Sequence, residues 1–214
     1  TRAVQTALIA AIATLLIPNG ATAESPRTAK VTPVSLANSN AQLLVAGSGS
    51  HNIVRFDLKT GESSVVAKLA NGSRPRSLAV NKAGEIFVGL RGNELNIVKL
   101  VPYRSTQPDG PLVAQKVTDR IGRFGPGLMA FDERGLLTVA GDTHRGVMRF
   151  DTKTGQLVEM MKLRAANLVG MTLTGNHVYA AEYFQKTVLR FDLASDPARG
   201  SRFIYKSPHL DRPH

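Results

Sequence analysis

The residues of this chain best suited to chemistry are two histidines, an aspartate and several arginines that fall between short apolar runs. His51, Asp142 and His144 carry imidazole and carboxylate groups, which can bind a metal ion or move a proton near neutral pH. Their spacing follows no fixed pattern, and loop histidines that hydrogen-bond their neighbours explain them better than a metal or acid–base site. We therefore predict no catalytic residue and no metal ligand, and include the three only as candidate ligand contacts.

Four arginines, at or near the starts of repeat units, are the second group of candidates: Arg74, Arg76, Arg123 and Arg164. The planar guanidinium group binds carboxylate and phosphate with two parallel hydrogen bonds, and several converging groups concentrate a positive potential. They predict a site for a small anionic molecule or an acidic protein surface. The alternative is a solvated basic surface that favours solubility.

A repeated segment indicates which elements position these residues. Ile53–Asp57, Val147–Asp151 and Val188–Asp192 are near copies, and Ile97–Leu100 is a weaker fourth member. The copies are separated by 44, 50 and 41 residues in chain order, which is the period of propeller blades rather than of helical solenoids.

A second series of apolar runs precedes the first by about ten residues: Leu43–Gly47, Ile86–Leu90, Leu137–Gly141 and Val178–Glu182. Their small residues allow inner strands to crowd around an axis. The third unit divides into strands at Gly127–Phe131, Leu136–Gly141, Gly146–Asp151 and Gln156–Leu163. Helical periodicity is missing after the first 23 residues, so the sequence predicts an all-β protein, a β-propeller with about four visible four-stranded blades.

The propeller topology predicts that the candidate residues lie at one end of the blades. They fall in the loops between strands two and three and in the loops into the next blade, and in a four-stranded blade both kinds of loop open at that end. Asp57 and Asp151 fall elsewhere, at turns that end in glycine, where an aspartate bonds backbone N–H groups ahead of it; we predict a hairpin role rather than catalysis for both.

The repeated strand and turn, the Arg74-Pro75-Arg76 opening and the Ala83–Gly89 segment resemble blades of NHL-repeat propellers and of the senescence-marker-protein and gluconolactonase superfamily. The resemblance extends from about Gln42 to the end and implies a propeller fold, which serves enzymes, binders and scaffolds alike. Gluconolactonase-like members bind a divalent metal through Glu, Asn and Asp, with one Asn in an Arg-Pro-Asn-Asp-type segment. Arg76 occupies the position of that Asn, so the resemblance assigns no metal ligand in this sequence.

Composition limits the remaining classes. The chain has 214 residues, a net charge of +11 and no cysteine, which excludes disulfide scaffolds, thiolate zinc sites and cysteine nucleophiles. The basic residues are dispersed and aromatic residues make up only 6%, so we predict no nucleic-acid partner.

The first 23 residues have the features of a secretory signal peptide. Arg2 precedes an apolar core at Ala7–Ile17, which is too short to span a bilayer, and the small residues Ala21-Thr22-Ala23 form a cleavage site. We expect a bacterial secreted or periplasmic protein with no membrane span after signal removal. Residues 24–41 form a lead-in segment that can supply a first strand, and residues 42–214 form the blades.

The spacing of the units also predicts a longer parent protein. The segment Asp211–His214 resembles the opening of another blade, and we expect the chain to be part of a six-bladed ring. The function predicted is an exported, NHL-like binding module with no cofactor. The alternative is a metal-dependent lactonase or hydrolase of the gluconolactonase type, the one case in which a divalent metal is expected.

Overall fold

The computed structural model describes residues 33–39, 42–70, 72–91, 96–102, 112–118, 126–141, 146–162, 168–183, 186–193 and 202–206. These residues form sixteen β-strands. Within these ranges there is no helical segment of the length and apolar character needed to cross a membrane. The all-β prediction is confirmed.

The strands divide into four blades of four. Blade 1 comprises β1 (Pro33–Ser39), β2 (Gln42–Gly47), β3 (Asn52–Asp57) and β4 (Ser63–Lys68). Blade 2 comprises β5 (Arg74–Val80), β6 (Ile86–Arg91), β7 (Asn96–Pro102) and β8 (Leu112–Thr118). Blade 3 comprises β9 (Pro126–Phe131), β10 (Leu137–Gly141), β11 (Gly146–Asp151) and β12 (Gln156–Lys162). Blade 4 comprises β13 (Leu168–Thr174), β14 (His177–Glu182), β15 (Thr187–Asp192) and β16 (Arg202–Lys206). The predicted strands of the third unit agree with blade 3 to within one residue at each described end.

Each blade is an antiparallel meander in which neighbours along the chain are neighbours in the sheet. The first strands of successive blades pack side by side, β1 on β5, β5 on β9 and β9 on β13. A parallel bridge between Ala67 of β4 and Leu112 of β8 joins the outer strands of blades 1 and 2. This arrangement of radial four-stranded sheets is that of a β-propeller.

The core lies between the blades, and the period of two along a strand builds it. On β6, Val88 and Leu90 face blade 1, whereas Phe87 faces blade 3 and meets Phe131 edge to face at a centroid distance of 5.1 Å. Alternate residues of one strand therefore belong to two different interfaces. Because both faces of the blade are buried, its second strand is apolar from Ile86 to Leu90.

The close approach of blades 2 and 3 requires a glycine in the second strand of blade 2. A Cβ atom added at Gly89 of β6 would lie 2.3 Å from Ser77 Oγ and 2.9 Å from the Cβ and Cγ atoms of Pro126 in the next blade. Ser77 Oγ also donates a hydrogen bond to the carbonyl oxygen of Pro126 at 2.6 Å. This confirms the predicted reason for a glycine in this series.

The predicted role of Asp57 and Asp151 in turns is also confirmed. Asp57 Oδ1 accepts hydrogen bonds from the N–H groups of Lys59 and Thr60 at 2.7 and 3.1 Å, and Asp151 Oδ1 accepts one from Lys153 at 2.8 Å. These bonds to the charged form, together with the nearby charge of Arg55, hold the pKa of Asp57 below its ordinary value. Both carboxylates stabilise hairpins.

Candidate functional site

Two kinds of loop meet at one end of the blades, which we call the loop end. The β2–β3 loop contacts the β4–β5 loop, since the N–H of Leu69 donates to the carbonyl oxygen of His51 at 2.8 Å. The side chain of His51 contacts the same loop through Nδ1 and the carbonyl oxygen of Ser73. The opposite end, which carries the β1–β2 and β3–β4 hairpins and their equivalents, is the turn end.

The bond to Ser73 determines the tautomer of His51. A carbonyl oxygen only accepts, so the Nδ1 atom must carry the proton. In the neutral ring the lone pair is then on Nε2, the atom that can accept a proton or a hydrogen bond. His51 is half-buried, and its ring is held in place next to the start of β5.

Three arginines of blade 2 lie at the loop end, and one of them, Arg74, directly follows Ser73, the residue that His51 contacts. Arg74 begins β5 and pairs in register with Arg91, the last residue of β6. Both are exposed, and like charges directly opposite each other in a sheet are unfavourable. Sequence reasoning placed Arg74 here but did not single out Arg91 as a site residue.

Arg76 lies at a register shift, because β5 pairs through Pro75 and then through Ser77. The first strands of the other blades are irregular at the equivalent place, where the skipped residues are Val34, Gly127 and Val169. Such bulges redirect a side chain and are frequent next to functional sites. Arg76 is the charged residue among these four positions, and it is half-buried.

His51 and Lys186 have left-handed backbone conformations, with φ of 56° and 54°. Each directly precedes the third strand of its blade, and each ends a four-residue connection, between Gly47 and Asn52 in blade 1 and between Glu182 and Thr187 in blade 4. Sequence reasoning missed Lys186. The equal lengths of the two loops were the available signal.

Glu182, the last residue of the predicted run Val178–Glu182, is a second residue that the sequence did not single out for the site. It ends β14, opposite Thr187 of β15, and is 1% exposed. The equivalent positions in the other blades hold Gly47, Leu90 and Gly141. A carboxylate is thus buried at the loop end of blade 4, where the repeat otherwise places apolar or small residues.

The remaining candidates cannot be placed. Arg123, Arg164, Asp142 and His144 lie outside the described residues. Of the predicted site residues, the structure places Arg74, Arg76 and His51 at the loop end. In the part of the chain that is described, no group of three or more His, Cys, Asp or Glu side chains is arranged to hold a metal ion.

The four-stranded blades and their side-by-side first strands define the chain as a β-propeller module. No protein-family model matches the sequence, and no curated protein matches it. Solved structures of propeller proteins match the fold.

The chain is similar to a structure of streptogramin B lyase at 20% identity and a TM-score of 0.65, covering 84% of this chain and 56% of that one. It is similar to a catalytically inactive virginiamycin B lyase from Staphylococcus aureus with quinupristin at 16% identity and a TM-score of 0.69, covering 88% and 60%. It is also similar to Kuenenia stuttgartiensis hydrazine synthase at 17% identity and a TM-score of 0.62, covering 84% and 55%. The chain spans a little over half the length of these solved chains. The likeness establishes the propeller fold.

Proposed function

We propose that this propeller is a binding module whose loop end takes an anionic ligand, either a small molecule or an acidic protein surface. The observation that carries the proposal is the placement of Arg74 opposite Arg91, with Arg76 redirected by a bulge two residues further along β5. Guanidinium groups at these positions offer several parallel N–H donors to a carboxylate or phosphate.

His51 also supports an anion site at the loop end. Its bond to the carbonyl oxygen of Ser73 holds the imidazole against the residue that precedes Arg74. A protonated His51 would add charge to the arginine cluster, and a neutral one offers Nε2 as an acceptor. Arg123, Arg164, Asp142 and His144 are proposed contacts on the loops of blades 2 to 4, on the basis of the sequence alone.

The arginines also separate this proposal from the metal-dependent lactonase suggested by the gluconolactonase resemblance. A guanidinium at Arg76, where that family has a metal-binding asparagine, repels a divalent cation. The similarity to lyases is one of fold, and it leaves an enzymatic role as the second candidate. The orientation of His51, with Nε2 as a possible proton acceptor, is the observation that favours it.

The experiment is a titration of the full chain with inorganic phosphate, pyrophosphate and a polyanionic peptide at several salt concentrations. We expect the double variant Arg74→Ala/Arg76→Ala to bind about tenfold or more weakly and to show a smaller salt slope, since charge-assisted hydrogen bonds are lost. Arg123→Ala and Arg164→Ala test the remaining arginines.

The matched control removes the same charge from the opposite end. Lys59→Ala/Arg134→Ala takes two exposed cations from the turn end. If both double variants weaken binding equally, net charge alone attracts the anion and the site is not at the loop end. Unchanged affinity and salt slope in the loop-end variant would contradict the proposal.

Export is a separate proposal that depends on residues 1–23. These residues, preceded by an initiator methionine, would be fused to a reporter enzyme that is active only outside the cytoplasm. We expect reporter activity and cleavage after Ala23, read by N-terminal sequencing. A fusion that stays inactive and uncleaved would contradict export through this segment.

A further inference from the structure

The outer strand of each blade, the fourth in chain order, has one edge that faces away from its own sheet. In blades 1 and 2 the two outer strands approach each other, and Ala67 of β4 pairs with Leu112 of β8. The outer strands of blades 3 and 4, β12 and β16, each form the last strand of a four-stranded sheet. Such an edge presents N–H and C=O groups to which another chain can add a strand.

The edge of β12 is protected against strand addition. Its surface is apolar, since Leu157, Val158 and Met160 are all exposed. A β-bulge lies at Val158, next to the residue that pairs with Arg149. That residue is Glu159, which points inward, is buried and accepts a hydrogen bond from Arg149. Bulges and inward-pointing charges are two of the features by which edge strands avoid pairing with other chains.

The edge of β16 is regular. All 5 residues of the strand pair with β15, and the pairing has no shift of register. The residue that pairs with Arg190 of β15 is Phe203, where the equivalent position of β12 holds Glu159. Of these two outer strands, β12 therefore has the bulge and the acidic residue, and β16 has neither.

Two side chains give the edge of β16 an apolar surface of defined shape. Ile204 and Tyr205 are each 45% exposed. Tyr205 is held in place, because Arg190 Nη1 donates a hydrogen bond to its hydroxyl oxygen at 3.2 Å. In strand addition, backbone hydrogen bonds provide the affinity and contacts with alternate side chains provide the specificity. A regular edge with these two side chains is suited to that mode of binding.

The charges of β16 determine which strand can be added. The first and last residues of the strand are Arg202 and Lys206, and the three residues between them are uncharged. A second copy of β16 added in the antiparallel direction would bring Arg202 opposite Lys206, and a parallel copy would also align cation with cation. Like charges opposite each other in a sheet are unfavourable, whereas opposite charges are favourable. The strand therefore disfavours its own copy and favours a strand with an acidic residue at each end.

We propose that the outer edge of β16 is a docking site for an extended acidic segment of a partner protein, which adds to blade 4 as one more strand. Acidic residues at the two ends of this segment pair with Arg202 and Lys206. Apolar or β-branched residues between them contact Ile204 and Tyr205. The residues of this edge are distinct from those of the loop-end anion site, so the inference does not depend on that site.

Two blocked synthetic peptides, Glu-Val-Thr-Val-Glu and Lys-Val-Thr-Val-Lys, test the proposal because they share a core and have opposite end charges. Calorimetric titration of the full chain should show the acidic peptide binding about tenfold more tightly, since two cross-strand charge pairs change sign. Saturation with the acidic peptide should slow hydrogen exchange at backbone amides of β16 and leave those of β12 unchanged. Slower exchange is the signature of an added strand rather than of a diffuse charge interaction.

Ile204→Glu places a negative charge in the middle of the proposed edge. Its matched control is Leu157→Glu, because Leu157 has a similar exposure of 42% on β12. We expect the first variant to bind the acidic peptide about tenfold more weakly and the second less than about twofold more weakly. Arg202→Gln/Lys206→Gln, which leaves the apolar residues in place, should bind the two peptides with nearly equal affinity.

The remaining outcomes contradict the proposal in different ways. Equal affinities of the wild-type chain for the two peptides, or binding of neither, would overturn it. Equal weakening by Ile204→Glu and Leu157→Glu would mean that net charge alone attracts the peptide. A dimer in sedimentation experiments that Ile204→Glu dissociates would assign the edge to a second copy of the chain and overturn the proposal.

The variant Arg74→Ala/Arg76→Ala separates this site from the loop end. It should bind the acidic peptide as tightly as the wild type does. Loss of peptide binding in this variant, with Ile204→Glu unaffected, would place the peptide at the loop end and overturn the strand-addition site. Failure of the peptide to bind would leave the loop-end proposal to its own test with phosphate and pyrophosphate.

Discussion

Arg149 Nη1 donates a hydrogen bond of 2.6 Å to Oε2 of Glu159, and both side chains are buried in blade 3. Asp132 contacts the other terminal nitrogen of the same guanidinium group. Burial by itself favours the neutral form, yet the hydrogen bonds to Asp132 and Glu159 outweigh it and hold the pKa of Arg149 above its ordinary value. The group stays charged, and two buried carboxylates depend on it.

Arg149→Met should lower the free energy of unfolding by about 3–5 kcal/mol, because two carboxylates are left buried without their cation. Urea denaturation monitored by circular dichroism measures this. The repeat supplies the control, since Arg55 has the same position in β3 but is exposed. Arg55→Met should change the free energy by at most about 0.5 kcal/mol. Equal losses would mean that burial does not distinguish the two arginines.

The comparison of Arg55 with Arg149 also shows how far the sequence could predict the structure. The repeated strand, its turn aspartates and its period were sufficient for the blades, because each depends on residues close together in the chain. Which of two identical arginines is buried depends on Asp132 and Glu159, which come from other parts of blade 3. Local patterns do not contain that information.

The loop end was predicted only in part for the same reason. The position of Arg74 and Arg76 at the start of a unit could be read from the repeat. The bulge at Arg76 and the left-handed conformation of Lys186 are properties of pairing and register, which the repeat does not specify. The sequence therefore predicted which charged residues lie at the loop end, but it did not predict the bulge and the backbone conformation that orient their side chains.

Gly89→Ala should lower the free energy of unfolding by about 1–3 kcal/mol, as overpacking does. The new methyl group would lie 2.9 Å from the ring of Pro126, which a neighbouring blade holds, and would displace the bond from Ser77. Gly170→Ala is the matched control, because its nearest neighbour is Ala181 Cβ at an ordinary 3.6 Å. Chemical denaturation of both variants should give a clear loss for the first and less than about 1 kcal/mol for the second.

Glu85 should make the free energy of unfolding depend on pH in the acid range. The hydrogen bond from Lys99, and then that from Asn81, hold its pKa below the ordinary value of 4.5. A lowered folded-state pKa contributes stability above the unfolded-state value, and that contribution is lost as the pH falls through the folded-state pKa. Since Glu85 and Lys99 are partly exposed, we expect their interaction to contribute at most about 1 kcal/mol to the free energy of unfolding.

The measurement for Glu85 compares urea unfolding of the wild type and Glu85→Gln at about pH 7 and about pH 3. At about pH 7 the wild type should be more stable than Glu85→Gln, and at about pH 3 the two should have nearly the same free energy of unfolding. In a Lys99→Met background the difference should be small at both. A constant difference across this range would show that the charge of Glu85 contributes nothing.

Gly61 and Gly155 occupy equivalent turns and share the left-handed conformation, with φ of 74° and 69°, but their surroundings differ. A Cβ at Gly61 would meet nothing within 4 Å, whereas one at Gly155 would lie 2.4 Å from the carbonyl oxygen of Val117 in blade 2. Gly61→Ala should therefore lose only the conformational cost of about 1–2 kcal/mol. Gly155→Ala should lose that amount and a further 1–3 kcal/mol or so, because the β11–β12 turn must move away from β8. Thermal and urea unfolding of both variants measure the difference, and equal losses would mean that this turn does not hold blades 2 and 3 together.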